Sequence, residues 1–133
     1  MTQAFEPPIS DDGAPFWEAT RTREFVLPWC VACDRPIWYP RATCPICLVG
    51  ALEWRTASGQ GVVYAVGVHY LPGPGRDASE LPYAVALIDL AEGVRMMSNV
   101  VDCPPESVTV SMDVAITWKP LSDGRHLPQF APR

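Results

Sequence analysis

Four of the five cysteines in this chain lie within one short stretch, CVACDRPIWYPRATCPIC, at positions 30–47. They form two C-x-x-C pairs, Cys30/Cys33 and Cys44/Cys47, with ten residues between them. A C-x-x-C turn aims both sulfurs at one point, and a second such turn can close a tetrahedron around it. Thiolates are soft ligands, and four of them suit zinc at about 2.3 Å. Such a closed site has no open position for a reacting water, so its role is structural. It also adds folding free energy to a segment too short to bury its own core. Iron in a rubredoxin-like site uses the same ligands, and spacing does not separate it from zinc. Two disulfides would suit a secreted chain, and a redox C-x-x-C expects one pair in a βαβ context.

The rest of the composition bears on that choice. The N-terminus, MTQAFEPPISDDG, lacks the basic start and apolar run of a secretory signal. No stretch approaches the roughly 18 apolar residues that cross a bilayer. The expected setting is therefore cytoplasmic, without a membrane, where paired cysteines favour metal over disulfide. Apolar residues make up 48% of 133 residues, enough for a real core, and 15 prolines imply short elements and turns. The net charge is -5, and the one lysine and nine arginines form no cluster. A basic footprint for nucleic acid is missing.

Three segments are expected: a lead and helix at 1–24, a metal ribbon at 25–50, and a β domain at 51–133. DDGAPFWEATRTREF reads as a short helix, with Asp11 or Asp12 as cap, Pro15 in the first turn and Phe16/Trp17 as its apolar side. Those rings either dock on the same chain or anchor a partner. The ribbon carries Trp29, Trp38 and Tyr39, more ring than it can bury alone. From Leu52 onward the pattern is strand-like. In GVVYAVGVHY, Val62, Tyr64, Val66, Val68 and Tyr70 share one face, and Gly67 marks a bend, bulge or close approach. LPYAVALIDL is nearly all apolar, as expected of a strand covered on both faces. Leu90–Val94 reads as a hairpin loop with Gly93 left-handed. DVAITW alternates, with Val114, Ile116 and Trp118 together. About five short strands over 52–119 suggest a partly open Greek-key barrel of the OB type, and composition alone does not separate it from an SH3-like barrel.

No self-sufficient catalytic constellation is visible. His69 and His126 are far apart in sequence, and Cys103 reads as a buried or loop thiol. His69 reads as a hydrogen-bonded barrel residue. G-x-S-x-G, H-E-x-x-H, Rossmann and P-loop patterns are missing. The long connection LPGPGRDASELP, residues 71–82, is of a length often tied to function.

The order of these stretches resembles a known family. APFWEATRTREF, the double C-x-x-C segment, LEWRTASGQGVVYAVGVHY, LPYAVALIDLAEGVRMMSNVV and DGRHLPQF together resemble the zinc-ribbon/OB-fold family called domain of unknown function thirty-five, across roughly residues 13–131. Leu48 and Ser111 stand where that family usually has glycine. The resemblance implies a mainly β fold: N-terminal helix, rubredoxin-like zinc ribbon, then five-stranded OB-fold barrel. It implies one zinc on Cys30, Cys33, Cys44 and Cys47. It further implies a non-catalytic accessory subunit that binds a thiolase-like, aldolase or acyltransferase partner and helps bind or channel acyl-CoA in lipid, steroid or polyketide-type metabolism. Arg76, Arg95, His69 and Tyr70 are the candidate CoA contacts. A nucleic-acid-binding ribbon and barrel is the alternative, and an iron-bearing electron carrier is the third.

Overall fold

A computed structural model describes residues 6–73 and 78–133. Helix α1 (Ala14–Thr20) leads into strands β1 (Val26–Cys30), β2 (Arg35–Pro36) and β3 (Leu52–Thr56). These three make one antiparallel sheet in the order β2-β1-β3. Strands β4 (Gln60–His69), β5 (Tyr83–Leu90), β6 (Arg95–Val100), β7 (Asp113–Pro120) and β8 (His126–Pro132) close a barrel in the order β4-β5-β6-β8-β7. Closure runs through β7 against β4 and a short parallel contact, Val100 with Phe130.

Helix α1 starts at Gly13 with no side-chain cap, so Asp11 and Asp12 do not serve as caps. Instead Ser10 Oγ accepts the Gly13 N–H at 3.1 Å. Pro15 does sit in the first turn, where its missing donor is harmless. Phe16 is buried, and Trp17 is half-buried on the same chain.

The barrel differs from expectation in three places. First, Leu52–Thr56 belongs to the ribbon sheet, paired with β1, and the fifth barrel strand is the C-terminal His126–Pro132. Both segments have strand composition, and only long-range pairing decides which sheet each joins. Second, the irregularity in β4 falls between Val63 and Ala65, not at Gly67. The extra residue flips the side-chain alternation, so Val62 and Tyr64 face out while Val66 packs against the core. A side chain at Gly67 would meet nothing closer than His69 Nε2 at 4.0 Å. Third, β5 is covered on one face only: Ala84, Ala86, Ile88 and Leu90 are buried, whereas Tyr83, Val85, Leu87 and Asp89 are half-exposed. The β5–β6 hairpin is as expected, with Gly93 at φ 104°.

The core is shared. Ile88, Val63, Val114 and Phe130 fill the barrel, and Phe16, Phe25, Val26 and Leu27 from the helix and ribbon join the same cluster. Edge-to-face rings continue the link: Phe16 touches Trp38 at 5.2 Å and Phe25 at 6.2 Å, and Phe25 reaches Trp118 at 6.4 Å. Cys103 is half-buried against this core.

Candidate functional site

Two sites emerge, a metal centre and a cavity beside it. The metal centre is built by β1, which delivers Cys30, and by the two knuckles that follow. All four sulfurs, of Cys30, Cys33, Cys44 and Cys47, lie within 4.8 Å of one another. The Cys30–Cys47 and Cys33–Cys44 separations are 3.7 and 4.0 Å. A tetrahedron with metal–sulfur bonds of about 2.3 Å has edges of about 3.8 Å. Both separations are close to that edge, so the set suits one tetrahedral ion. Backbone N–H groups already point at the sulfurs: Cys33 to Cys30 at 3.3 Å, Ile46 to Cys44 at 3.4 Å and Gly50 to Cys47 at 3.2 Å. The N–H groups of Val49 and Gly50, with the Cys33 thiol, draw the Cys47 thiol down to about 6 against the pull of burial. The Cys33 thiol is pushed up, chiefly by its contacts with Cys47 and Cys30. Four crowded thiols resist joint ionisation, and a divalent cation removes that conflict.

Each knuckle is followed by a left-handed residue. Asp34 sits at φ 52° and Leu48 at φ 66°. The second turn therefore keeps the same form as the first despite its leucine, closed by the Leu48 N–H donating to the Cys44 carbonyl at 3.0 Å. Gly50 was not singled out as a site residue by sequence reasoning. A Cβ there would fall 2.4 Å from Cys30 Sγ and 2.9 Å from Cys47 Sγ, so the close approach needs glycine.

The cavity, of about 670 Å³, lies where the N-terminal segment, α1, the ribbon and the barrel meet. Trp17 comes from the helix, Trp38, Tyr39 and Pro40 from between the knuckles, and Val85, Met96 and Met97 from β5 and β6. Its wall is anchored by polar contacts at the other end of the helix. The Arg125 guanidinium stacks on Trp17 at 4.9 Å and pairs with Asp123 at 2.7 Å. Thr20 Oγ1 accepts the His126 N–H at 3.2 Å, and the Thr20 carbonyl lies 2.8 Å from His126 Nδ1.

The candidate CoA contacts fall elsewhere. Arg95 is bonded to Asp89 at 2.6 Å and lies 3.4 Å over the Tyr64 ring. Tyr70 donates to Glu106 at 3.2 Å. His69 is exposed and stacks flat on Tyr83 at 5.0 Å, in place of the hydrogen-bonded barrel role expected of it. None of these three lines the cavity. Arg76 lies outside the described residues.

Comparison with known proteins fits this architecture. Residues 17–53 match the model of the ChsH2 rubredoxin-like zinc ribbon domain, and residues 54–119 match that of the ChsH2 C-terminal OB-fold domain. A DUF35 domain-containing scaffold protein of Methanothermobacter thermautotrophicus is 32% identical over 68% of each chain. The chain belongs to the DUF35 family. A solved structure described as Ltp2-ChsH2(DUF35) aldolase superposes with a TM-score of 0.83 at 34% identity, over 96% of this chain and 98% of that one. A probable enoyl-CoA hydratase alpha subunit of Thermomonospora curvata is 36% identical over 95% of this chain. This DUF35 chain spans only 39% of that relative's length. It spans 35% of a 3-oxo-4,17-pregnadiene-20-carboxyl-CoA hydratase alpha subunit of Mycobacterium tuberculosis, with 30% identity. Among the described residues no helix is long and apolar enough to cross a membrane.

Proposed function

We propose that this protein is a cytoplasmic, non-catalytic accessory subunit of an acyl-CoA enzyme. It docks on a thiolase-like aldolase or a hydratase partner and helps present a steroid- or lipid-derived acyl-CoA. The observation that carries this reading is the near full-length likeness to the DUF35 chain named with the Ltp2 aldolase. Neither histidine is arranged for catalysis: His126 is tied to Thr20 and His69 is stacked on Tyr83. The four cysteines would hold zinc, whose contribution is structural: it fixes both ends of the segment carrying Trp38 and Tyr39. For the nucleotide end of the ester the candidate contacts are His69, Tyr70, Arg95 and Arg76; His69 pairs with Tyr83 at one end of β5 and Arg95 with Asp89 at the other.

The test is affinity capture from the native host with tagged protein, with mass spectrometry of the captured proteins and elemental analysis of the same sample. A thiolase-fold or hydratase-type enzyme with about one zinc per chain is the expected result. Iron with a visible absorption band would replace zinc by an electron carrier's centre. Nucleic acid or ribosomal proteins as the main catch would overturn the accessory-subunit reading.

A further inference from the structure

Strand β4 contains two glycines, and packing within the chain explains one of them. A Cβ at Gly61 would fall 2.6 Å from Ile88 Cγ2 and 3.0 Å from the Asp89 carbonyl oxygen, so the contact of β4 with β5 requires glycine there. Gly67 has no such reason. Its φ is not in the left-handed region, and a Cβ would meet only His69 Nε2, at 4.0 Å. The irregularity of the strand lies earlier, and pairing with β5 runs unshifted from Ala65 to His69. A mid-strand glycine weakens a strand, and where no bulge calls for it, it marks close approach by another group. Gly67 is exposed and pairs with Val85 on the outer barrel face. There it lines a shallow groove of about 210 Å³ with Ala65, His69, Val85, Leu87 and Met97.

The surroundings say what approaches. Met97 is 57% exposed and Tyr64 50%, so the face is apolar and open. Charge at its edge is matched within the chain: Arg95 pairs with Asp89 at 2.6 Å and covers the Tyr64 ring at 3.4 Å. An apolar floor inside a charge-matched rim is the anatomy of a protein interface. The groove is smaller than the usual small-molecule site of about 300–1,000 Å³, and it suits a single anchoring side chain. A second copy is a poor occupant, because a two-fold contact must be self-complementary. Two such faces meet hollow to hollow, and the neighbouring rings do not fill the gap: Tyr64 is held under Arg95 and Tyr83 against His69. Resting on the accessory-subunit reading above, we propose that the outer face of β4–β6 docks on the partner enzyme, and that the groove over Gly67 receives one bulky, uncharged side chain of that enzyme. Gly67 carries no side chain because the partner's side chain takes its place.

The experiment takes the acyl-CoA enzyme identified by the capture above, purified, and titrates it calorimetrically with the full chain, with Gly67→Val and with Met97→Glu. Thermal unfolding and sedimentation are followed on each chain alone. Gly67→Val is expected to keep or raise the melting temperature, since valine favours strands and its Cβ has room. It is nonetheless expected to weaken docking at least tenfold. Met97→Glu, at an exposed side chain, is expected to stay folded and weaken docking as much. Three results would each overturn the proposal. Gly67→Val melting well below the parent would show that the fold itself needs the glycine. Both folded variants docking like the parent would place the interface elsewhere. A dimer of the parent chain that Gly67→Val disperses would give the face to a second copy. Any of these alongside capture of an acyl-CoA enzyme removes the docking face and leaves the accessory-subunit reading standing. Capture of no such enzyme removes both.

Discussion

Leu48 and Ser111 stand where the family resemblance leads one to expect glycine, and the backbone shows why glycine would suit both. Leu48 lies at φ 66° and Ser111 at φ 73°. A branched or polar side chain in that region costs about 1–2 kcal/mol, against about 0.5–1 kcal/mol for the extra freedom glycine loses on folding. Leu48 recovers little of this within the chain, being 72% exposed. Leu48→Gly is therefore expected to raise the stability of the metal-loaded protein by about 0.5–1 kcal/mol, read from urea unfolding. No gain would mean that the leucine makes stabilising contacts of its own. Gly50 behaves oppositely. Its missing Cβ leaves room for two sulfurs, and Gly50→Ala pushes on Cys30 and Cys47 together. Metal affinity should fall at least tenfold, measured by competition with a chromophoric chelator; an unchanged affinity would show that the knuckle can shift freely.

At the scale of elements, sequence and structure agree where a signal is local. The paired cysteines name the metal centre, and Gly93 names the β5–β6 hairpin, because both depend on residues a few positions apart. Leu52–Thr56 and His126–Pro132 were harder to place, because a strand's sheet is chosen by partners far along the chain. The bulge after Val63 left no mark either: its residues alternate in type while the structure changes their faces. The cavity was invisible for the same reason, since its walls come from five separate segments. One connection among these elements is pH-sensitive. Burial alone would raise the Asp123 carboxyl, but hydrogen bonds from the Arg125 N–H and guanidinium outweigh it and hold the group below its usual value. A lowered folded-state value gives stability that is present above the unfolded value, about 3.9, and is lost as pH falls through the folded one. Asp123→Asn should therefore lower stability at neutral pH and flatten its acid limb, as followed by thermal unfolding across pH. A parallel shift at every pH would place the effect in packing instead.

The whole molecule is one core with two dependencies. The barrel closes on itself through β7 and β4, so its strands do not require the ribbon for pairing. The ribbon, by contrast, has its own small cluster of Cys30, Ile37 and Cys44, too little to persist without the ion. Between them lies the cavity, one wall of which, Trp38–Pro40, belongs to the segment suspended between the two knuckles. Metal and cavity wall are thus coupled through a single loop. Stripping the metal with a strong chelator should expose the amides of the knuckles and β2 to hydrogen exchange while β4–β8 stay protected. The same treatment should red-shift tryptophan emission, because the aromatic wall that carries Trp38 loses both of its anchors. Restored emission on adding zinc would tie the effect to the centre. Unchanged emission from metal-free protein with an exchanged ribbon would mean that Trp38 is held by its contacts with the helix, through Phe16, and not by the knuckles.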